Sequence, residues 1–196
     1  FFLARILGAL YFINNIDDKD LVARSRRSLI GNSVLFLVFF LSFVIRTLLA
    51  DGYAVNPETG EIFMEPYKYL TNFIEMPVVL VLFLIGVVLV LFGIGKSLLK
   101  PKFDKGIWFT GIGTVLAVLA LLLVAGYNHT AYYPSTNDLQ SSLTLANSCS
   151  SEFTLRVMFY VSFLVPFVLA YIFYAWRSID IHKIDEKEMK DGGHSY

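Results

Sequence analysis

Residues 77–95 read PVVLVLFLIGVVLVLFGIG, nineteen positions without a charged side chain. A helix crosses the ~30 Å hydrocarbon core of a bilayer in roughly 20 apolar residues. Lipid offers no partner for backbone N–H and C=O groups, so such a run must close its hydrogen bonds within itself, as a helix. Three more runs of this kind lie at residues 30–50, 107–126 and 154–176, and residues 1–14 read as the tail of an apolar helix already under way. The fold class that follows is an all-α integral membrane bundle. It has four complete transmembrane helices plus one partial N-terminal helix in a single membrane domain, 1–196, with a tail at 177–196.

Composition agrees with that reading. Of 196 residues, 56% are hydrophobic and 16% charged, against about a quarter charged in a soluble domain. Sixteen basic and sixteen acidic side chains cancel, so no bulk charge points to nucleic acid. Their placement is uneven. Lys19, Arg24, Arg26 and Arg27 fill the first connector, Lys96, Lys100, Lys102 and Lys105 the third, and Arg177, Lys183, Lys187 and Lys190 the tail. Twelve of the sixteen Lys and Arg thus fall in alternate connectors, which places those connectors and the tail in the cytoplasm by the positive-inside rule. The loops at 51–76 and 128–153 then face outward. The second of these holds no Lys or Arg and is rich in Ser, Thr and Asn. In the first, Asn56-Pro57-Glu58-Thr59-Gly60 is a turn signal fit to nucleate a small hairpin. The basic connectors read as short helix–helix turns, and residues 180–191 as a charged helical extension. The chain shows neither an initiator Met nor a secretory signal, so it reads as the C-terminal part of a longer protein.

Candidate chemistry is sparse. Gly93-Ile94-Gly95-Lys96-Ser97 mimics the end of a phosphate-binding loop, but the motif needs Gly where Val90 stands; a helix end at Gly95 with a basic anchor is the simpler reading. Haem or metal ligation needs imidazole or thioether groups inside the bundle. His129 falls at an outer helix end, His182 and His194 in the tail, and Met158 one turn into the last span. Cys149 stands alone, which excludes an intrachain disulfide. Arg46, Glu75 and Arg156 fall near span ends, where structural anchoring outweighs a proton or quinone role; Arg156 is spaced to pair with Glu152. Pro166 breaks the hydrogen bond to Ser162 and predicts a kink. Gly106, Gly111 and Gly113 invite close helix approach, and Tyr171, Phe173, Tyr174 and Trp176 form an aromatic belt. Asn128-His129-Thr130 has the form of a glycosylation sequon. The polar residues within spans are Asn32, Ser33, Ser42, Thr110, Thr114 and Ser162, too few and scattered for the midplane site of a secondary transporter. That transporter half, or a non-catalytic membrane scaffold, is the alternative class.

The loop and last span carry Tyr133-Pro134-Ser135, Ser142-Leu143-Thr144, Ser150-Ser151-Glu152-Phe153-Thr154-Leu155 and Leu164-Val165-Pro166 in order, and the chain ends His194-Ser195-Tyr196. With Asp51-Gly52-Tyr53-Ala54-Val55 after the first complete span and the basic stretch from Lys19 to Arg27, this order resembles subunit II of the cytochrome bd-type quinol oxidases. The resemblance implies the second half of a subunit built of nine helices, in the bacterial cytoplasmic membrane. It implies a complex that oxidises quinol, reduces oxygen to water and contributes to the proton gradient. It also implies a partner, subunit I, that holds haems b and d. No catalytic, cofactor-binding or metal-binding residue is assigned to this chain; quinone remains a possible guest and membrane lipid an expected neighbour.

Overall fold

The computed structural model describes residues 1–179. His182, His194, Lys183, Lys187, Lys190 and the expected helical extension at 180–191 lie outside the described residues. α1 (Phe2–Asn15) and α2 (Lys19–Leu49) form a helical hairpin through a turn in which the Asp18 carboxylate accepts the Leu21 amide at 2.7 Å, a standard N-cap. Strands β1 (Gly52–Val55) and β2 (Ile62–Glu65) follow, then the short helix α3 (Lys68–Glu75). α4 (Pro77–Leu99) and α5 (Gly106–Gly126) make a second helical hairpin. A 3-10 turn at Leu139–Ser141 lies in the loop after α5, and α6 (Glu152–Ser162) and α7 (Val165–Ile179) complete the described chain.

Among the described residues four helical segments are long and apolar enough to cross a membrane: Lys19–Leu49, Pro77–Leu99, Gly106–Gly126 and Glu152–Ser178. Their outward faces are apolar. Val78, Val115 and Leu122 are each about two-thirds exposed, an arrangement suited to lipid and not to water. Inside, Ile6, Leu10 and Leu29 pack with Val90 and Ile94, while Phe73, Phe83, Ala120 and Val124 form a second cluster toward the outer loops.

The helix limits depart from the sequence reading in three places. α2 begins at Lys19, so the first basic connector is itself helical. At 31 residues it is roughly 46 Å long, and its basic first turns extend beyond the hydrocarbon. α4 continues past Gly95 to Leu99; it stops where Lys100, extended at φ −116 and ψ 104, precedes Pro101, whose ring disfavours helix at the residue before it. The last span is broken. Phe163 donates to the Tyr160 carbonyl and Leu164 to Val161, tightening the chain to i−3 bonds just where Pro166 has no N–H to return to Ser162. The expected kink is therefore a two-residue turn, Phe163 and Leu164, between α6 and α7.

α4 and α5 pack closely because glycines face each other. A methyl group on Gly93 would come within 2.8 Å of the Gly106 carbonyl, and one on Gly86 within 2.6 Å of the Ala117 amide; Gly113 is equally tight against Gly86. Gly106 and Gly113 thus act as expected, with Gly86 and Gly93 as their partners across the seam. Gly111 differs, since a methyl there would meet nothing within 4 Å.

Candidate functional site

The polar residues assemble at the two ends of the bundle, not at its middle. At the hairpin-bearing end (the outer end in the orientation expected from charge placement), β1 and β2 pair antiparallel in the register Ala54 opposite Phe63. Their turn is held by the Asn56 side chain, which accepts from the Glu58 amide at 2.9 Å, and by Gly60 at φ +73, a backbone region that favours glycine. The uncharged loop adds to this sheet. Val55 donates to the His129 carbonyl at 2.7 Å and Ala131 to that of Tyr53 at 2.8 Å. Gln140 then covers the far edge: its amide oxygen accepts from Ile62 N at 2.9 Å and its amide nitrogen donates to Ile62 O at 2.8 Å. A side-chain amide so placed imitates one residue of a neighbouring strand and closes an otherwise open edge.

Beneath the sheet, Asn72 is fully buried and fully engaged. Its Nδ2 donates to the Val124 carbonyl at 2.9 Å and to the Thr130 hydroxyl at 2.8 Å, while its Oδ1 accepts from Asn128 at 3.0 Å. Asn128 also donates to the Glu75 carboxylate. This one network joins α3, the end of α5 and the outer loop. It also answers the sequon: the Asn128 amide is taken up by Asn72 and Glu75, and Thr130 is buried, so the motif is not presented as an open loop. Lys68, buried against the sheet, pairs with Glu65 at 3.2 Å. Burial raises the Tyr69 phenol above its ordinary value of 10.0, and the nearby Tyr53 phenol adds to the shift.

At the basic end, Arg26 reaches across to the end of α4. Its guanidinium donates to the Ser97 carbonyl and, at 2.7 Å, to that of Pro101, placing a cation where the helix leaves its carbonyls unsatisfied. Lys96 lies between the rings of Phe92 and Phe103, 4.8 and 4.5 Å from their centres. Ser97 gives its hydroxyl proton to Gly93 at 2.8 Å. The residues from Gly93 to Ser97 are thus helical, with Gly93 and Ser97 engaged against α5 and their own helix, a geometry without a phosphate cradle.

Within the spans, hydroxyls turn back onto their own helices. Ser42 donates to Val38, Thr114 to Thr110 and Ser162 to Phe159, and Asn32 donates to the Ser28 carbonyl. Ser33 and Thr110 bury hydroxyls with no partner among the described residues. Between α1, α2, α4 and α5 lies an apolar cleft of about 380 Å³, walled by Phe36, Phe40, Val87, Leu91 and Leu121. Its size and lining suit a hydrocarbon tail; it has no charged wall.

The family model of cytochrome bd terminal oxidase subunit II matches residues 1–179. The chain belongs to that family. It is also 28% identical over 156 residues to the cytochrome bd-I ubiquinol oxidase subunit 2 of Escherichia coli strain K12, and equally so to the proteins of that name from E. coli O157:H7 and O6:H1. The match covers 78% of this chain and 39% of each relative, so the chain spans about two-fifths of the length of these relatives.

For a cytochrome bd subunit the donor set is informative. His129 is exposed in the outer loop and Met158 is 63% exposed on α6, so neither is held inside the bundle as an axial haem ligand must be. No three His, Cys, Asp or Glu side chains converge among the described residues. Among the described residues this donor set does not fit a haem. Of the span-end charges, Arg156 pairs with Glu152 as spaced, Glu75 joins the Asn72 network, and Arg46 lies exposed in the last turn of α2. Asn72, Gln140 and Arg26 were not distinguished by sequence. For Asn72 a signal exists: it lies three residues before Glu75 on one face of α3, the helix joining the outer hairpin to the next span.

Proposed function

We propose that this chain forms the C-terminal part of the non-haem subunit of a respiratory quinol oxidase of the cytochrome bd type, supporting a haem-bearing subunit I. The observation that carries the reading is the family match from residue 1 to 179 on a chain whose described helices form an apolar bundle. The haems b and d of the partner supply the electron transfer and oxygen chemistry, with quinol as reductant, oxygen reduced to water and a contribution to the proton gradient. This chain holds its helices at fixed spacing through the glycine seam, anchors the basic end through Arg26 and closes the outer end through Asn72. No catalytic or cofactor-binding residue is assigned to it. The apolar cleft is suited to a quinone or lipid tail. α6 and α7 support the idea of a neighbour, because almost every residue from 151 to 178 is exposed within the chain itself. In this reading the basic connectors and the tail lie in the cytoplasm of a bacterium, and the Asn72 network faces outward.

The transporter alternative draws less support. α2, α4 and α5 are continuous through their spans, and the one break, before Pro166, brings only the self-bonded Ser162 near it. The test is oxygen uptake driven by quinol in membranes from cells with and without the intact protein, in a background lacking other terminal oxidases. Loss of uptake without the protein is expected. Undiminished uptake, with substrate accumulation lost instead, would transfer the case to a transporter.

A further inference from the structure

At the basic end of the bundle, α1 and α2 enclose a cleft of about 430 Å³. Arg5 and Arg24 line it with the hydroxyl residues Ser25 and Ser28, and Phe12 and Leu21 supply an apolar side. The arginines of this region have divided roles. Arg26 is committed to the carbonyls at the end of α4. Arg24 has no hydrogen bond or ion pair among the described residues, and Asp20, four positions earlier, forms none with it. Arg5 has only the face of the Phe1 ring, 5.6 Å away. Ser28 accepts from Asn32 at 3.0 Å, which leaves its hydroxyl proton for an acceptor in the cleft. Gly8 keeps the wall open: a side chain there would begin in empty space.

No carboxylate lines this cleft, and its donors outnumber its acceptors, so the complementary ligand is an anion with several oxygens. Guanidinium forks match phosphate in both charge and geometry. The position narrows the source. Arg24, Ser25 and Ser28 come just before Ile30, where the apolar run of α2 begins, so the cleft lies at the depth of lipid head groups. Toward the hydrocarbon the same face of α2 continues from Ser28 through Gly31 to Leu35, both exposed. A soluble phosphate would leave that apolar surface unused, whereas a phospholipid held by its phosphate would lay its glycerol and first methylenes along it. We propose that the Arg5–Arg24 cleft binds the phosphate of an anionic phospholipid in the leaflet that meets the basic connectors. Both guanidinium groups contact phosphate oxygens and the serine hydroxyls donate to the head group.

The experiment uses the intact protein in its purified complex, stripped of lipid and titrated with phosphatidylglycerol, phosphatidylcholine or inorganic phosphate, with bound adducts counted by native mass spectrometry. A cation near anionic lipid contributes about a fivefold gain in affinity, so the Arg5→Gln/Arg24→Gln double variant should bind phosphatidylglycerol roughly 25-fold more weakly. Gly8→Leu, which keeps both charges but fills the cleft, should also lose the tight site; it decides the matter if the double variant does not assemble. Arg27→Gln, outside the cleft, should bind like the parent. The proposal is overturned by parental binding in the double variant and Gly8→Leu, by an equal loss in Arg27→Gln, or by inorganic phosphate displacing phosphatidylglycerol at equal concentration. The readout is lipid retention, so it is independent of the haem and oxygen measurements above.

Discussion

Asn72 shows how much one buried amide can organise. Its donors and acceptor are met by α5, by Thr130 and by Asn128, so truncating it leaves several buried groups unpaired, each costing about 1–3 kcal/mol. Asn72→Ala is expected to raise amide exchange across residues 124–131 by a comparable local free energy; unchanged exchange would show that the network contributes little. Tyr69 gives a second prediction. Its folded-state phenol titrates above the unfolded one because the charged form is poorly solvated. The native state therefore holds its proton where the unfolded chain has lost it, so stability is full below pH ~10 and falls as pH rises through that point toward the folded value. Tyr69→Phe should flatten the alkaline limb of a stability–pH curve; an identical limb in the variant would contradict the assignment. Sequence exposed neither residue. Asn and Tyr at the ends of spans are ordinary, and their burial depends on the outer loop folding back over α3.

At the scale of elements, the apolar runs made the spans legible, because lipid leaves the backbone no other way to satisfy itself. The turn around Asn56 and Gly60 likewise announced the hairpin between β1 and β2. Helix ends were harder. Gly95 looked like a stop, yet the helix runs past it to Leu99 with open space around Gly95, and Pro101 supplies the real stop. The glycine seam was half legible: Gly106 and Gly113 could be named, but their partners Gly86 and Gly93 depend on the register of α4 against α5, which no single span encodes. That register is testable. Gly93→Val forces branched bulk against the Gly106 carbonyl and is expected to cost about 1–3 kcal/mol or more, read as a lower thermal midpoint of the intact complex. Gly111→Ala, with open space around it, should match the parent or gain slightly from helix propensity. Equal losses at both positions would contradict the seam.

At the scale of the molecule, the two ends are built differently. The basic end is held by cations on helix carbonyls and aromatic rings, and the opposite end by amides, hydroxyls, the Glu75 carboxylate and the Lys68–Glu65 pair. Between them the described bundle is apolar, with the family's redox chemistry expected in a neighbour. The contrast between a basic end and an end poor in Lys and Arg was legible in outline from charge placement, while the polar networks at each end required the fold. The central claim is that this chain works as the non-haem partner of a haem protein. It is tested most directly by tagging the intact protein, purifying it from membranes of aerobically grown cells and recording the reduced-minus-oxidised absorption spectrum. Haem b and haem d bands should travel with the tag in fixed ratio to the protein and disappear when the partner is dissociated. A stable, monodisperse preparation with no haem protein attached would contradict the account.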